Sequence, residues 1–414
     1  MITYPRWLER DTGKEPVLRL LGIGNAGVNI ADRIAVRASL PLETVALNSD
    51  QQSLNASVAS QKTALGPMTT HGLGASGDPE RGLEAARESM SEMRQSVQGA
   101  DVVFLCAGLG GGTGSAVTPQ LAELARSNGS LVIAVVTSPF QFEGRRRSQQ
   151  ARDAMQAITR HADAVVHFEN DRMAEITAPR TEAEETFAAC DDILFQSVAS
   201  LARLISCPGP MAVAVPDLLG VLRSGGGAFL FGSGEADGGN RAHEALEQAL
   251  RSPLLDRGRL LHEAKKVLVH LSGPRSLAFA EVAAIMQDIS KNTSPTSLLH
   301  LGVSVSRDEL APLIVTVIGH CGTSTNTEKA APLPAMEPVR ANPPAHLAEE
   351  VIPSTPSTTT VSEQPQSKAS LPKVKQENLP LEPIARGRFE KVEPTIVEGE
   401  DLDVPTFLRR KLKR

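Results

Sequence analysis

A glycine-rich segment in the first third of the chain limits most strongly what the chain can fold into. The residues from Gly108 to Gly114 include five glycines, which the apolar run Val102–Leu105 precedes and a helical pattern follows. One or two glycines are enough for a tight turn between a strand and a helix. Five glycines indicate instead that a large group approaches the backbone closely, because glycine has no Cβ and tolerates positive φ angles.

The same strand–loop–helix arrangement favours an anion as that group. Free amide N–H groups and the positive end of a helix dipole would point to one spot, and phosphate is the usual occupant of such a site. The segment is not a Walker A motif, since Gly114 is followed by Ser115-Ala116 where that motif has Lys and then Ser or Thr. A bare tight turn is the structural alternative.

Short apolar runs alternate with helical patterns between residues 17 and 170. This alternation predicts an α/β fold, namely a Rossmann-like domain with a parallel sheet and helices on both faces. Ligands of such sheets bind at the carboxyl ends of the strands, which is where the glycine-rich segment is expected. The predicted strands are Val17–Ile23, Thr44–Leu47, Asp101–Ala107, Leu131–Val136 and Ala164–Phe168.

A long helical pattern, Glu182–Ile205, ends at a proline- and glycine-rich break and leads to a second block, which is α+β. That block has strand-like runs at Ala228–Phe231, Lys266–Leu271 and Leu313–Ile318 and helical patterns at Gly239–Leu250 and Leu277–Ile289. The stretch that follows is rich in Pro, Ser, Thr, Glu and Gln, which predicts a disordered C-terminal tail. The predicted division is an N-terminal extension (1–15), a first domain (16–182), a central helix (183–207), a second domain (208–322), a Pro-rich linker (323–398) and a terminal docking peptide (399–414).

The composition argues against several classes of protein. A net charge of −6 and a pI near 5.9 argue against a general nucleic-acid-binding protein. The four cysteines show no paired metal-ligand spacing, so we predict no metal site in the chain itself and expect reduced thiols in a cytoplasmic protein. No apolar run approaches the roughly 18 residues that a membrane span requires.

A second glycine motif, Gly22-Ile-Gly24-Asn-Ala-Gly27, lies between a predicted strand and a predicted helix. It matches the GxGxxG fingerprint, so a nicotinamide-dependent oxidoreductase is a rival hypothesis. The acid expected about 20 residues further on would be Asp50, which comes later than usual. A dinucleotide site also does not require a second and richer glycine loop. Two glycine loops fit better a single polyphosphate held from two sides.

Taken together, these motifs resemble those of the tubulin/FtsZ family. The resemblance starts from Gly108-Leu-Gly-Gly-Gly-Thr-Gly-Ser115 and covers residues 17 to about 320. It includes Thr137–Arg147 and Phe229–Gly234, and it resumes at Leu402–Arg410. Several motifs in the same order are a more specific signal than one glycine loop. The resemblance implies a GTP-binding domain and an activating domain, GTP and Mg²⁺ as cofactors, and a GTPase that forms cytoskeletal filaments at the division site of a bacterium.

Carried over position by position, the resemblance implies a nucleotide site on the loops of the first domain. Asn170 and Asp192 would read the guanine, and Phe187 would stack on it. A carboxylate can accept hydrogen bonds from N1–H and N2–H₂ of guanine together, which adenine does not offer. As structural alternatives, Asn48 and Asp50 would form turns and Asp192 would be a solvated helix residue. The other implied nucleotide contacts are Gly24, Asn25, Ala26, Asn29, Asn48, Asp50, Gly72, Gly74, Ala75, Gly110, Gly111, Gly112, Thr113, Gly114, Pro139, Glu143 and Arg147.

The chain departs from the family pattern in the loop that activates hydrolysis. In the family, an Asn-x-Asp-x-x-Asp loop enters the nucleotide site of the next subunit, whereas the matching positions here are Ala212, Ala214 and Asp217. Asp217 is therefore the implied catalytic residue, and loss of a positioned base typically costs about 10²–10⁴ in rate. A slow GTPase that forms filaments and a polymerising scaffold without useful hydrolysis both stay open. The structural alternative for Asp217 is that it caps a helix beginning at Leu218.

The resemblance also implies partners. The chain would form head-to-tail homopolymers, and its terminal peptide would dock on membrane-anchor division proteins through Pro405, Phe407 and Leu408. Proline limits the chain freedom that docking removes, and the two apolar side chains can fill a groove. Attraction of the basic residues 409–414 to anionic lipid is the alternative. Neither a nucleic-acid partner nor a direct membrane span is expected.

Overall fold

The glycine-rich segment joins a strand to a helix, as predicted, in a computed structural model of the chain. The structure describes residues 16–37, 40–175, 177, 181–206, 209–222, 229–256, 258–306 and 308–321, and two short strands at 396–397 and 400–401. The predicted N-terminal extension, nearly all of the predicted linker, and Pro405, Phe407 and Leu408 of the docking peptide lie outside these residues. Residues 1–335 and 336–414 form separate units, and the second contributes only the antiparallel pair Ile396–Val397 and Glu400–Asp401.

The first sheet has six parallel strands in the order β3-β2-β1-β4-β5-β6. All five predicted strands are confirmed, and β3 is an additional one. It lies at one edge of the sheet, and its side chains are mostly exposed. The strands are β1 Leu18–Ile23, β2 Leu42–Asn48, β3 Gln61–Ala64, β4 Val102–Gly108, β5 Leu131–Ser138 and β6 Ala164–Glu169.

Helices cover both faces of this sheet, because successive apolar residues of each central strand point to opposite sides. Leu20 packs with Ile30 of α1 and Leu194 of α9 in one hydrophobic cluster, whereas Leu21 packs in a second cluster with Leu121 of α6. The helices are α1 Gly24–Arg37, α2 Gln51–Ala56, α3 Pro67–Thr70, α4 Pro79–Glu88, α5 Met90–Val97, α6 Gly112–Ser127, α7 Arg145–His161, α8 Asn170–Ala174 and α9 Ala183–Ser206.

A second sheet follows α9, with the strand order β7-β10-β8-β9. Strand β10 pairs antiparallel with β7 and β8, and β9 pairs parallel with β8. The predicted strands and helices of this block are confirmed, while β9 and α10 are additional. The elements are α10 Val215–Leu222, β7 Phe229–Ala236, α11 Arg241–Leu250, β8 Ala264–Gly273, α12 Phe279–Asn292, β9 Leu298–Val305 and β10 Leu313–Cys321.

One hydrophobic cluster joins the two sheets through α9. Phe168 of β6 meets Phe229 of β7 edge to face, with ring centroids 5.5 Å apart. Because both sheets share this core, the division into domains at residues 183 and 208 stays a prediction. Within the described part of the chain, every helix is too short or too polar to cross a bilayer.

Candidate functional site

The carboxyl ends of the first sheet's strands surround a cleft of about 620 Å³. The cleft lies where the parallel-sheet argument places a ligand site. Of the predicted nucleotide contacts, all except Gly72, Gly110 and Asp192 belong to its lining. The described residues that line it and were not predicted are Ile23, Leu73, Ser76, Gly77, Gly108, Leu109, Thr137, Met173, Cys190, Asp191 and Leu194.

The positions of the β4–α6 loop that carry glycine do so for different structural reasons. Gly110 has φ +93°, a left-handed conformation that favours glycine. A Cβ on Gly112 would lie 2.7 Å from the Cβ of Ala75, and a Cβ on Gly114 would lie 2.3 Å from the carbonyl oxygen of Gly108. A Cβ on Gly111 would meet no protein atom within 4 Å. The fold therefore accounts for the absence of a side chain at the first three positions, and Gly111 leaves space open in the cleft.

Gly72 and Gly110 do not line the cleft, contrary to prediction, because each is occupied in holding a loop together. The amide of Gly110 donates to Oγ of Ser115 at 2.8 Å, which closes the glycine loop on itself. The carbonyl of Gly72 accepts from the amide of Gln51 at 2.9 Å. Both residues shape the loops around the cleft without lining it.

The two glycine motifs pack against each other and border one cleft. Gly24 has φ +68°, and a Cβ there would lie 3.3 Å from the amide nitrogen of Gly114. A Cβ on Gly27 would lie 2.1 Å from the carbonyl oxygen of Cys106, so α1 sits directly against β4. The GxGxxG motif and the GGGTG loop therefore form two walls of the same cleft, as expected for one ligand held from two sides.

Hydrogen bonds between polar side chains connect the loops after β1, β2 and β4. Nδ2 of Asn48 donates to Oδ1 of Asn25 at 2.6 Å, and the hydroxyls of Ser49 and Thr113 lie 2.6 Å apart. Oδ1 of Asp50 accepts from the amides of Gln52 and Ser53 at 2.9 and 3.4 Å. Asp50 thus caps α2, which agrees with the structural alternative of a turn-forming residue, and it also lines the cleft.

The far end of the cleft contains the residues expected to contact a base, with one correction. Asp192 does not line the cleft, because its carboxylate turns to Arg33 and Arg37, whose Nη1 atoms lie 2.9 and 2.5 Å from Oδ1. Asp191 lines the cleft instead. Burial raises the pKa of Asp191 above the ordinary aspartate value, and the nearby Arg33, at 3.5 Å, acts in the opposite direction. The sequence has acids at both 191 and 192, so the position next to the predicted Asp192 was the available sign that Asp191 could line the cleft.

Phe187 and the Glu143–Arg147 pair complete the lining. Phe187 is half exposed and meets Phe140 edge to face at 5.6 Å between centroids. Arg147 forms an ion pair with Glu143, and Glu143 also accepts from the amide of Phe140 at 2.9 Å. Arg147 is the only lysine or arginine among the described residues that line the cleft. Backbone amides and helix α6 must therefore supply much of the positive potential that a polyphosphate requires.

Asp217 lies outside this cleft, on α10, which follows α9 and precedes the second sheet. The helix begins at Val215, and the carbonyl oxygen of Ala214 accepts from the amide of Leu218 at 3.1 Å. Ala214 therefore occupies the N-cap position and Asp217 the first turn, so the alternative that Asp217 caps a helix starting at Leu218 is wrong. The Asp217 carboxylate is 49% exposed, and Nδ1 of His300 lies 4.0 Å from its Oδ2.

Among the residues that the structure describes, no group of three or more His, Cys, Asp or Glu converges, so side chains alone offer no candidate metal site. Cys190 lines the cleft, and burial raises the pKa of its thiol to about 11. The thiol is therefore neutral near pH 7 and is not a nucleophile.

The sequence matches two family models in order along the chain. Residues 17–178 match the GTPase domain of the Tubulin/FtsZ family, and residues 226–322 match the C-terminal domain of the FtsZ family. Cell division protein FtsZ 1 of Pyrococcus furiosus is 36% identical over 320 residues, which are 77% of this chain and 85% of that protein. Cell division protein FtsZ of Methanothermobacter thermautotrophicus is 36% identical over 299 residues, 72% of this chain and 77% of that protein.

Solved structures agree with these relatives. An FtsZ dimer of M. jannaschii is 34% identical, has a TM-score of 0.65, and is matched over 76% of this chain and 91% of that one. CetZ2 from Haloferax volcanii, at 23% identity and a TM-score of 0.60 over 75% of this chain and 95% of its own, shares the fold. None of these relatives supports the rival oxidoreductase hypothesis. The chain belongs to the tubulin/FtsZ family of GTPases.

Proposed function

We propose that this chain binds GTP in the cleft of its first domain, assembles head to tail with copies of itself, and hydrolyses GTP slowly at the contacts between copies. One observation carries the proposal: Asp217, the acid expected to activate hydrolysis, lies outside the cleft of its own chain and half exposed. In this proposal, a second copy brings this acid to the nucleotide. Hydrolysis then depends on assembly.

The glycine loops support the binding of the triphosphate. The N-terminus of α6 opens at Gly112 into the cleft, and the free space beside Gly111 admits a phosphate close to the backbone. Arg147 adds one positive charge. The carboxylate of Asp50 would hold Mg²⁺ together with the phosphates, which is how proteins usually bind this ion. When bound, Mg²⁺ neutralises part of the phosphate charge.

Selectivity for guanine rests in this proposal on Asp191, which takes the role first assigned to Asp192. Its carboxylate lines the cleft near Asn170, Phe187 and Cys190. An ionised carboxylate there accepts from N1–H and N2–H₂ of guanine at once. Adenine has an acceptor at N1, so it cannot donate to this carboxylate from that position, and the half-buried Asp191 would lose the hydrogen bonds that guanine offers.

The hydrolysis step needs a water, a base and an intact phosphate cradle. The water oxygen forms a bond to the γ-phosphorus, the bond from this phosphorus to the bridging oxygen breaks, and GDP leaves with that oxygen. Asp217 of the neighbouring copy orients the water and accepts its proton. The amides of the β4–α6 loop hold the phosphate oxygens where charge develops.

Exposed apolar side chains on the two surfaces involved support head-to-tail association. Leu73, which lines the cleft, and Phe142, which precedes the lining residue Glu143, are 80% and 79% exposed. Met211 and Leu298, on the segments that contain Asp217 and His300, are also large exposed hydrophobic residues. Burying these side chains between copies would stabilise the filament by about 25 cal/mol per Å² of apolar area.

Slow turnover is proposed because residues 211–217, called the activating segment, lack two of the three polar side chains of the family pattern. Ala212 and Ala214 are exposed and offer no group that could orient water. A scaffold that polymerises without useful hydrolysis is the second candidate, and the same two alanines favour it.

Turnover measured against protein concentration, with Mg²⁺ present, tests the proposal. We expect the rate per subunit to rise steeply above a critical concentration, since each active site needs two copies. Asp217→Ala should remove this turnover and leave GTP binding intact, because the cleft that Asp217 serves belongs to another copy. Turnover that is independent of concentration would refute catalysis between copies. Unchanged turnover in Asp217→Ala would favour the scaffold.

We further propose that the filament acts at the cytoplasmic division site and is tethered to a membrane-anchor protein through residues 399–414. Pro405, Phe407 and Leu408 support this, because they form a short apolar motif beside basic residues. Phe407→Ala should abolish binding to the anchor in a pull-down. Binding to anionic vesicles that survives Phe407→Ala but is lost in high salt would instead support lipid attraction.

A further inference from the structure

The activating segment of the second domain is fastened along the outer strand of the second sheet. The amide of Val303 in β9 donates to the carbonyl of Met211 at 2.8 Å. Two residues on, Val213 packs over Gly302, where a Cβ would lie 2.5 Å from a methyl carbon of Val213. Strand β9 therefore determines where the segment before α10 runs.

His300 lies on the same face of β9 as Gly302, since side chains two residues apart on a strand point the same way. This face meets the activating segment, and it brings Nδ1 of His300 to 4.0 Å from Oδ2 of Asp217. His300 is 19% exposed, so its imidazole has restricted freedom, whereas the Asp217 carboxylate is 49% exposed. Within the described part of the chain, the imidazole of His300 lies within ion-pair distance of the Asp217 carboxylate.

Other polar groups on this face are engaged elsewhere. Nζ of Lys266 in β8 donates to the carbonyl of Gly220 at 3.3 Å. His270, also in β8, lies 3.1 Å from Oγ of Ser304, and burial lowers its pKa to about 4. His270 is therefore neutral near pH 7.

We propose that His300 is a positioning residue for hydrolysis: its imidazole ring, with Nδ1 4.0 Å from Oδ2 of Asp217, holds the Asp217 carboxylate in the orientation in which it enters the cleft of the next copy. This inference rests on the proposed role of Asp217 between copies. Strand β9 would then help to fix the activating segment, a role that polar side chains at positions 212 and 214 would otherwise share. His300 acts through Asp217 and does not touch the nucleotide of its own chain.

The test is a double-mutant cycle on GTP turnover. The variants are His300→Gln, Asp217→Asn and both together, at saturating GTP and at a protein concentration where assembly is complete. We expect His300→Gln to lower kcat by about two- to fivefold, the range for a partly exposed ion pair. GTP affinity and the amount of sedimented polymer should not change. In the Asp217→Asn background, His300→Gln should have no further effect.

Two controls separate positioning from folding. His243→Gln makes the same exchange at an exposed histidine on α11 and should leave turnover unchanged. His300→Lys places an ammonium group beside Asp217 and should retain turnover within about twofold of the wild type. If His300→Gln does not fold, comparison of His300→Lys with His300→Met decides the question by the same criterion.

The outcomes distinguish this inference from the proposed function. If Asp217→Asn lowers turnover but His300→Gln does not, the positioning role is refuted and catalysis by Asp217 stands. A loss in His300→Gln of equal size with and without Asp217 also refutes positioning through Asp217. If Asp217→Asn has no effect, or wild-type turnover is absent, the proposed function fails and the inference fails with it.

Discussion

The space beside Gly111 leads to our sharpest prediction, because the four neighbouring glycines of the same loop differ from it. Gly111 has φ −95° and ψ 172°, an extended conformation that alanine adopts readily. A Cβ there would touch no protein atom within 4 Å, whereas a Cβ on Gly112 would press on Ala75 and on the backbone of Asp78 at 2.7 Å. Gly111→Ala and Gly112→Ala are therefore a matched pair, one residue apart.

The expected magnitudes follow from these contacts. Gly111→Ala gains about 0.4–1 kcal/mol from the restricted unfolded chain and loses about 0.5–1 kcal/mol because alanine is a poorer N-cap than glycine. The apo protein should therefore keep its stability within about 0.5 kcal/mol. The added methyl group occupies the space proposed for a phosphate and displaces it from the amides. A charged hydrogen bond is worth about 1.5–3 kcal/mol, so GTP affinity should fall roughly 10- to 150-fold.

The assay is denaturant unfolding of the apo protein together with GTP binding by titration calorimetry. Gly112→Ala should show the opposite pattern in the apo protein, with a loss of about 1–3 kcal/mol from overpacking. Wild-type GTP affinity in a folded Gly111→Ala variant would refute the placement of the phosphates beside Gly111. A large loss of apo stability in Gly111→Ala would refute the contact reasoning itself.

Two further predictions concern the base and the activating segment. Asp191→Asn should abolish the preference for GTP over ATP, while Asp192→Asn should keep it. Burial raises the pKa of Asp191, and only its ionised form accepts two hydrogen bonds from guanine, so wild-type GTP affinity should fall as the pH drops through that raised pKa. A flat pH profile of competitive GTP and ATP binding would contradict this assignment. The double variant Ala212→Asn/Ala214→Asp should raise concentration-dependent turnover about 10-fold or more and shorten filament lifetime, as followed by phosphate release and light scattering. The control Ala212→Asn/Ala214→Ser also caps α10 but adds no acid, so it should leave turnover at the wild-type level.

Sequence patterns predicted the parts of the fold where local chemistry and tertiary packing agree. The apolar run before Gly108 is buried in one hydrophobic cluster on each face of the sheet, and the helix that follows begins within the glycine-rich segment. Strand β3 was missed for the opposite reason. Its residues Gln61–Ala64 are mostly polar and exposed, so they carry no hydrophobic alternation, and only pairing with β2 makes them a strand.

The predicted nucleotide contacts differ from the lining of the cleft at two glycines and at one position of α9. Asp191 and Asp192 are adjacent acids on α9, and successive helix residues point about 100° apart, so one faces the cleft and the other faces α1. Sequence alone gives no rotation of the helix about its axis; the ion pairs of Asp192 with Arg33 and Arg37 show it. The start of α10 was misjudged although Pro216, which lacks an amide hydrogen, suits the first turn of a helix.

Strand β3 has a consequence for the proposed association of this chain with its own copies. An edge strand presents unpaired N–H and C=O groups, and a flat apolar edge would template a further strand from another molecule. Here the edge is only four residues long, polar and exposed, and Lys62 places a charge near its centre. Extension of the first sheet from molecule to molecule is thereby disfavoured, so crowded copies are protected against irreversible β-aggregation at this edge while other surfaces stay available for reversible contacts.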